Sequence, residues 1–233
     1  MNPHFFMGAY WPARKESIDQ CADRVLEFLE SLANCDRVFA KWYELGWTRK
    51  QAVERMTPVL SREYILKTLE KGQNRTDVGN EVIEEMGFDI GLWNGSEKTK
   101  SVGLHITCGL YWISPNEKST LGNAVVLDLP DDLGELQQAD HAVKVLAAAV
   151  ESWEPAWAGI MSLDAMNKRG FNGASPFVDW MVFVTQKIGQ VAAPSVVYEV
   201  PNHGSIIVVQ PCPPSPDDPG ALERIRKVEK ALE

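Results

Sequence analysis

Most of the signatures that mark a reactive centre are missing from this chain. Its four cysteines, Cys21, Cys35, Cys108 and Cys212, are too few and too scattered for a disulfide framework or a zinc knuckle. They read as small apolar residues in a reducing compartment, Cys21 on a helix face and Cys108 in a strand. No His-x-x-x-His and no Cys-x-x-Cys spacing occurs, so no metal site is expected. Gly-x-Gly-x-x-Gly, the phosphate loop ending in Gly-Lys-Ser/Thr, and the Gly-x-Ser-x-Gly elbow are absent too. Nucleotide cradles and hydrolase nucleophiles of those types therefore have no support, and no cofactor is expected. No apolar run approaches the roughly 18 residues a membrane helix needs, and no basic-then-apolar leader opens the chain. A cytoplasmic protein is the expectation.

Basic residues are also scarce. The 23 Lys and Arg face 32 Asp and Glu, leaving a net charge of −9. Holding nucleic acid by backbone neutralisation needs clustered cations, so this balance argues against a direct nucleic-acid partner. An acidic surface does suit a basic protein partner, whose approach it accelerates. It is equally what many proteins carry for solubility alone.

What is present is a well-patterned core. The 233 residues are 45% hydrophobic and 24% charged, the balance of a globular protein with a large interior. Phe5 to Trp11 is an apolar run stopped by Pro12, the length of a buried strand. Ser17 and Gln20 stand at capping-box spacing. Ile18, Cys21, Ala22, Val25, Leu29 and Leu32 follow at three- and four-residue steps, giving a helix with one oily face that ends near Asn34–Asp36. Val38–Glu44 alternates imperfectly as a strand. Thr48 and Gln51 cap a helix to about Met56, Ser61 caps another closed by Gly72, and Glu81–Gly87 has room for a helical turn.

Strands follow at Phe88–Asn94, Ser101–Gly109 and Asn123–Leu129, separated by turn-formers. In the middle one Val102, Leu104, Ile106 and Cys108 share one face, while Gly103, His105 and Thr107 share the other, the pattern of a half-buried antiparallel strand. A long helix is expected from about Leu136 to Trp153, then strands at Trp157–Met161 and Asp179–Val184. Pro201-Asn202-His203-Gly204 turns a hairpin between Val196–Val200 and Ser205–Val209. A Pro-rich connector leads to a C-terminal helix over 219–232, striped by Leu222, Ile225, Val228 and Leu232. The fold class is therefore α+β: a mixed, largely antiparallel sheet with helices packed on it, in a single domain over 1–233.

For chemistry the candidates are few. Asp140 and His141 are helical neighbours and do not share a face. His105, on the polar face of its strand near Thr107, is the one candidate base, and it also reads as an ordinary surface histidine. Surface character offers more. Asp128, Asp131, Asp132, Glu135 and Asp140 cluster between a strand end and the long helix; Glu81, Glu84, Glu85 and Asp89 form a second acidic patch leading to Trp93. Solvation and helix-dipole complementarity explain the first cluster, and an acidic grip on a basic partner explains it too. Of eight tryptophans, Trp11, Trp153 and Trp180 are expected in the core. Trp47, Trp93 and Trp112, beside turns, are expected at the surface as interface anchors.

Gly8-Ala9-Tyr10-Trp11, Arg14, Glu16-Ser17, Phe39-Ala40-Lys41-Trp42, Asp179-Trp180 and Pro201-Asn202-His203-Gly204 together resemble the immunity protein 52 family of bacterial polymorphic-toxin systems. The resemblance implies a non-enzymatic inhibitor, without catalytic residues, that binds and neutralises a cognate nuclease toxin of a restriction-endonuclease-like class, in type VI secretion or a similar system. Such a protein would act by stoichiometric protein–protein contact, and a homodimer is compatible with it. The residues nominated for contact are Asp131, Asp132, Glu135, Glu84, Glu85, Asp89, Trp93, Trp47 and Trp112. The alternatives are a small-molecule enzyme or ligand-binding domain using His105 and nearby carboxylates, and an oligomerisation module.

Overall fold

A computed structural model describes residues 4–45, 50, 61–113, 121–215 and 218–233. Its centre is the predicted opening strand, β1 (Phe5–Trp11), buried along almost its whole length. It pairs antiparallel with β5 (Asn123–Asp128) on one side and β6 (Trp157–Ser162) on the other. Outward from β5 lie β4 (Gly103–Cys108), β3 (Phe88–Trp93) and the two-residue β2 (Tyr43–Glu44). Outward from β6 lie β7 (Met181–Val184), β9 (Gly204–Val208) and β8 (Val196–Val200). These strands make one nine-stranded sheet in the order β2-β3-β4-β5-β1-β6-β7-β9-β8, every described pairing antiparallel.

One face of the sheet is covered by three helices: α1 (Ile18–Cys35), α2 (Arg62–Lys71) and α3 (Ala139–Trp153). The predicted capping box forms. Ser17 Oγ accepts from Gln20 N–H, and Gln20 Oε1 accepts from Ser17 N–H. Cys21, Ala22, Val25, Phe28, Leu29 and Leu32 of α1 then pack on the alternate residues Phe5, Met7, Ala9 and Trp11 of β1 and on α3. Trp11 and Trp153 stack with ring centres 5.2 Å apart. The last carbonyls of α3 have no partner within their own helix. Arg24 donates to Ser152 O at 2.6 Å and Arg14 to Trp153 O at 3.1 Å, which ties the start of α1 to the end of α3. The expected cap on α2 is also present, Ser61 Oγ accepting from Tyr64 N–H.

Among the described residues, the other face is covered over half its width. Behind β1, β6, β7, β9 and β8 lie α4 (Leu163–Arg169), the segment 170–180, and α5 (Ala221–Leu232). Phe6, Trp157, Met161 and Phe177 form one small cluster there. Val182, Val184, Ile207, Val209, Ile225 and Val228 form another under α5. Ion pairs Arg169–Glu229 and Arg224–Asp218 hold α5 in place. At the β8–β9 turn Asn202 and Gly204 take positive φ, and a Cβ on Gly204 would lie 2.2 Å from Val184 O, so only glycine fits.

Several sequence expectations change. The long helix begins at Ala139 and not at Leu136, because Gly134–Gln137 is a separate 3-10 turn. Val38–Glu44 is mostly not strand. Arg37–Phe39 is a 3-10 turn started by Asp36, whose carboxylate accepts from Val38 N–H. The C-terminal helix starts at Ala221, and Leu222 points outward, 54% exposed, with Ala221 in its place beneath the helix. The sequence reading missed α4 altogether. The helix expected over 48–56 lies outside the described residues.

Candidate functional site

Helices α4 and α5 lie over β1 and the strands beyond it, and the cluster under α4 reaches only as far as Val126 on β5; among the described residues the outer face of β3, β4 and the rest of β5 carries no helix. The alternation read from the sequence decides what stands on it. On β4 these are Gly103, His105 and Thr107; across the ladders, Asp89 faces Thr107, Gly91 faces His105, and Val126 flanks His105 on β5. His105 is central and 60% exposed.

Each end of this face carries a histidine–carboxylate group. At one end Asp89 accepts from Thr107 Oγ1 at 2.6 Å and from Asn74 Nδ2 at 3.2 Å, with His105 Nε2 3.6 Å away. Burial pushes the Asp89 carboxyl up. The contacts with His105, Thr107 and Asn74 outweigh it and hold the group below its ordinary value. The same contact with Asp89 raises the His105 imidazole, against a smaller opposing effect of burial. At the other end His4 Nδ1 lies 3.1 Å from Asp131 Oδ1, and its Nε2 lies 3.7 Å from Asp128 Oδ1. Gly103 and Thr107 mark the two ends on β4, roughly 14 Å apart at about 3.4 Å per residue. Two acidic clusters that are distant in sequence thus become the two ends of one surface.

The nominated residues fall around it unevenly. Asp131 and Asp132 line an open cavity of about 730 Å³ with His4, Thr99 and Gln137. Glu135 borders the next depression, beside Asp36 and Arg37. Asp140 is elsewhere, accepting from the Tyr198 hydroxyl at 2.7 Å. Glu84 and Glu85 are exposed on the 3-10 turn Glu84–Met86. The backbone N–H groups of Tyr111 and Trp112 both donate to Glu85 O, so Trp112, 56% exposed, stands beside that turn. Trp93 corrects the expectation of a surface anchor: it is 8% exposed, its indole N–H donates to Ser96 O at 3.1 Å, and Tyr43 lies against it. Trp47 lies outside the described residues. Sequence reasoning missed Leu45, whose side chain sits over Gly91 on the same face and is 57% exposed. A large apolar residue just before a glycine was the available signal.

The geometry does not assemble a catalytic pocket from these parts. His105 stands on an open strand face and is not enclosed. The carboxyl that burial raises, Asp179, lies on the covered half, where Ser162 N–H donates to it at 2.7 Å and Arg169 adds a further opposing pull. Strands β4 and β7 are four spacings apart, roughly 19 Å. Among the described residues no group of three His, Cys, Asp or Glu is placed to hold a metal ion, and no helix is long and apolar enough to cross a membrane.

The family model described as immunity protein 52 matches residues 3–233. No curated protein matches the chain. Among solved structures, the Pseudomonas aeruginosa T6SS protein PA0821 is similar at a TM-score of 0.54 and 10% identity, over 98% of this chain and 72% of that one. At that identity the likeness is one of fold.

Proposed function

The chain belongs to the immunity protein 52 family, and we propose that it neutralises a cognate nuclease toxin by stoichiometric binding, in the cytoplasm, with no turnover of its own. The family match along nearly the whole chain carries this reading. The surface supports it. A net charge of −9 suits a partner whose DNA cleft must be basic, and the exposed carboxylates of Asp132, Glu84 and Glu85, with Asp131 held beside His4, can lie where phosphates would. Nuclease inhibition by an acidic protein needs no cofactor, only complementarity and a slow off-rate. Because a single sheet runs through the chain, we also read 1–233 as one domain.

Co-expression with the toxin encoded beside its gene tests the reading. Growth should be restored and a complex of fixed stoichiometry should co-purify. Continued DNA degradation, or no complex, refutes it. The small-molecule alternative gains nothing from the open setting of His105.

A further inference from the structure

We propose that the toxin docks on the half of the sheet that is bare among the described residues, seating a basic, hydrogen-bonding patch across β3, β4 and β5 with His105 at its centre. This rests on the reading of the chain as a toxin inhibitor and adds the place and chemistry of contact.

Three observations lead there. The first is the asymmetry of cover: α4 and α5 seal the same face of the sheet over β1, β6, β7 and β9, reach only Val126 on β5, and leave β3, β4 and the rest of β5 without a helix among the described residues. The second is shape. Ala124 keeps the floor low at its middle, Leu45 fills the space over Gly91 and the Asp128 carboxylate that over Gly103, so Leu45 and the half-buried Val126 offer a partner apolar contact beside charge. A large aliphatic residue left mostly in water on such a floor costs free energy that a partner would recover. The third is charge. Asp89 and Asp128 stand on the floor, with Glu84 and Glu85 beyond one end and Asp131 and Asp132 beyond the other. The cations nearby are Lys98 and Lys100 at the β3–β4 connection, Arg37 in the depression it shares with Lys100 and Asp132, Lys15 near Tyr111, and the histidines His4 and His105. Carboxylates therefore outnumber lysines and arginines six to four around the face, which suits a partner with excess Lys and Arg.

Size decides how much must join in. Three strands about 4.8 Å apart and six residues long cover roughly 300 Å², about a third of what one partner of a stable complex contributes. The acidic turns at both ends are therefore part of the docking surface, and Trp112 beside Glu85 becomes its aromatic anchor.

The probe is the toxin domain encoded beside this gene, purified as a catalytically inactive variant. Ala124→Arg puts bulk and positive charge on the floor, and Glu30→Arg puts the same side chain on the exposed side of α1. By calorimetry, Ala124→Arg should raise Kd at least about 30-fold with Tm unchanged, while Glu30→Arg stays within about threefold. Hydroxyl-radical labelling needs no variant: Leu45, His105 and Val126 of the wild-type protein should be shielded on complex formation. A wild-type complex with unchanged labelling at all three overturns the docking site and leaves the inhibitor reading intact. No wild-type complex overturns both. Shielding already present in toxin-free protein that sediments as a dimer assigns the face to a second copy and overturns the proposal.

Discussion

The two halves of the sheet share one inner face and differ on the other, and the difference is written into their strands. On the covered half, β6, β7 and β9 are buried at every position, because helices or packed chain lie on both sides. On the bare half, β4 and β5 alternate buried with half-exposed or exposed residues. Continuous apolar runs mark strands sandwiched between layers, and alternation marks strands with one side open. The covered half is built for stability. The bare half combines a rigid frame with an accessible surface, which is what a binding protein needs.

Aliphatic truncation probes that contrast most strongly. Ile207→Ala, beneath α5, should lose about 2–5 kcal/mol in urea unfolding, whereas Val126→Ala on the open face should lose under about 1.5 kcal/mol. Equal losses would mean that both sides of the sheet are packed alike. Polar truncation follows. Asp179→Ala leaves the buried Ser162 N–H without its acceptor and should cost about 1–3 kcal/mol, against less than about 1 kcal/mol for Thr107→Val on the bare side.

Affinity sharpens the comparison from the other direction. Reversing Asp131 and Asp132 to Lys should weaken toxin binding about tenfold and flatten its salt dependence, with no change in Tm. Unaltered affinity in both low and high salt would remove the acidic turn from the interface.

The smallest effect is a titration. The His105 ring should titrate above the ordinary histidine value of about 6.5 by NMR, and Asp89→Asn should bring it down. The sign follows from linkage. A raised histidine favours the fold at pH below its unfolded value and loses that advantage as pH rises through the folded one. The depressed Asp89 favours the fold above its unfolded value and loses it as pH falls. The pair therefore contributes most between about pH 4 and 6.5. Its contribution is small, because His105 is largely in water.

How far the sequence reaches depends on the range of the forces involved. The capping box of Ser17, the stripe of α1, the alternation of β4 and the turn at Asn202–Gly204 are local, and they are as the pattern predicts. Helix α4 was missed because seven residues with no fully buried member give no periodic stripe, although Ser162 caps it and Gly170 ends it. Trp93 was misplaced because a tryptophan beside a turn suggests the surface, while its burial depends on Ser96 and on Tyr43, fifty residues away. The bare face was half legible. Alternation shows which residues point away from the helices, but only the tertiary arrangement shows that α4 and α5 stop short of them. Likewise, each acidic cluster is visible in the chain, but their meeting at the two ends of one surface is not.

The brevity of β2 has a further consequence. A strand of two residues offers a newcomer only a pair of ladder hydrogen bonds, and ordering each added residue costs about 1–2 kcal/mol of backbone entropy. Another chain gains little by extending the sheet at that rim, so strand-by-strand polymerisation, the hazard of any open β-edge, finds no template there.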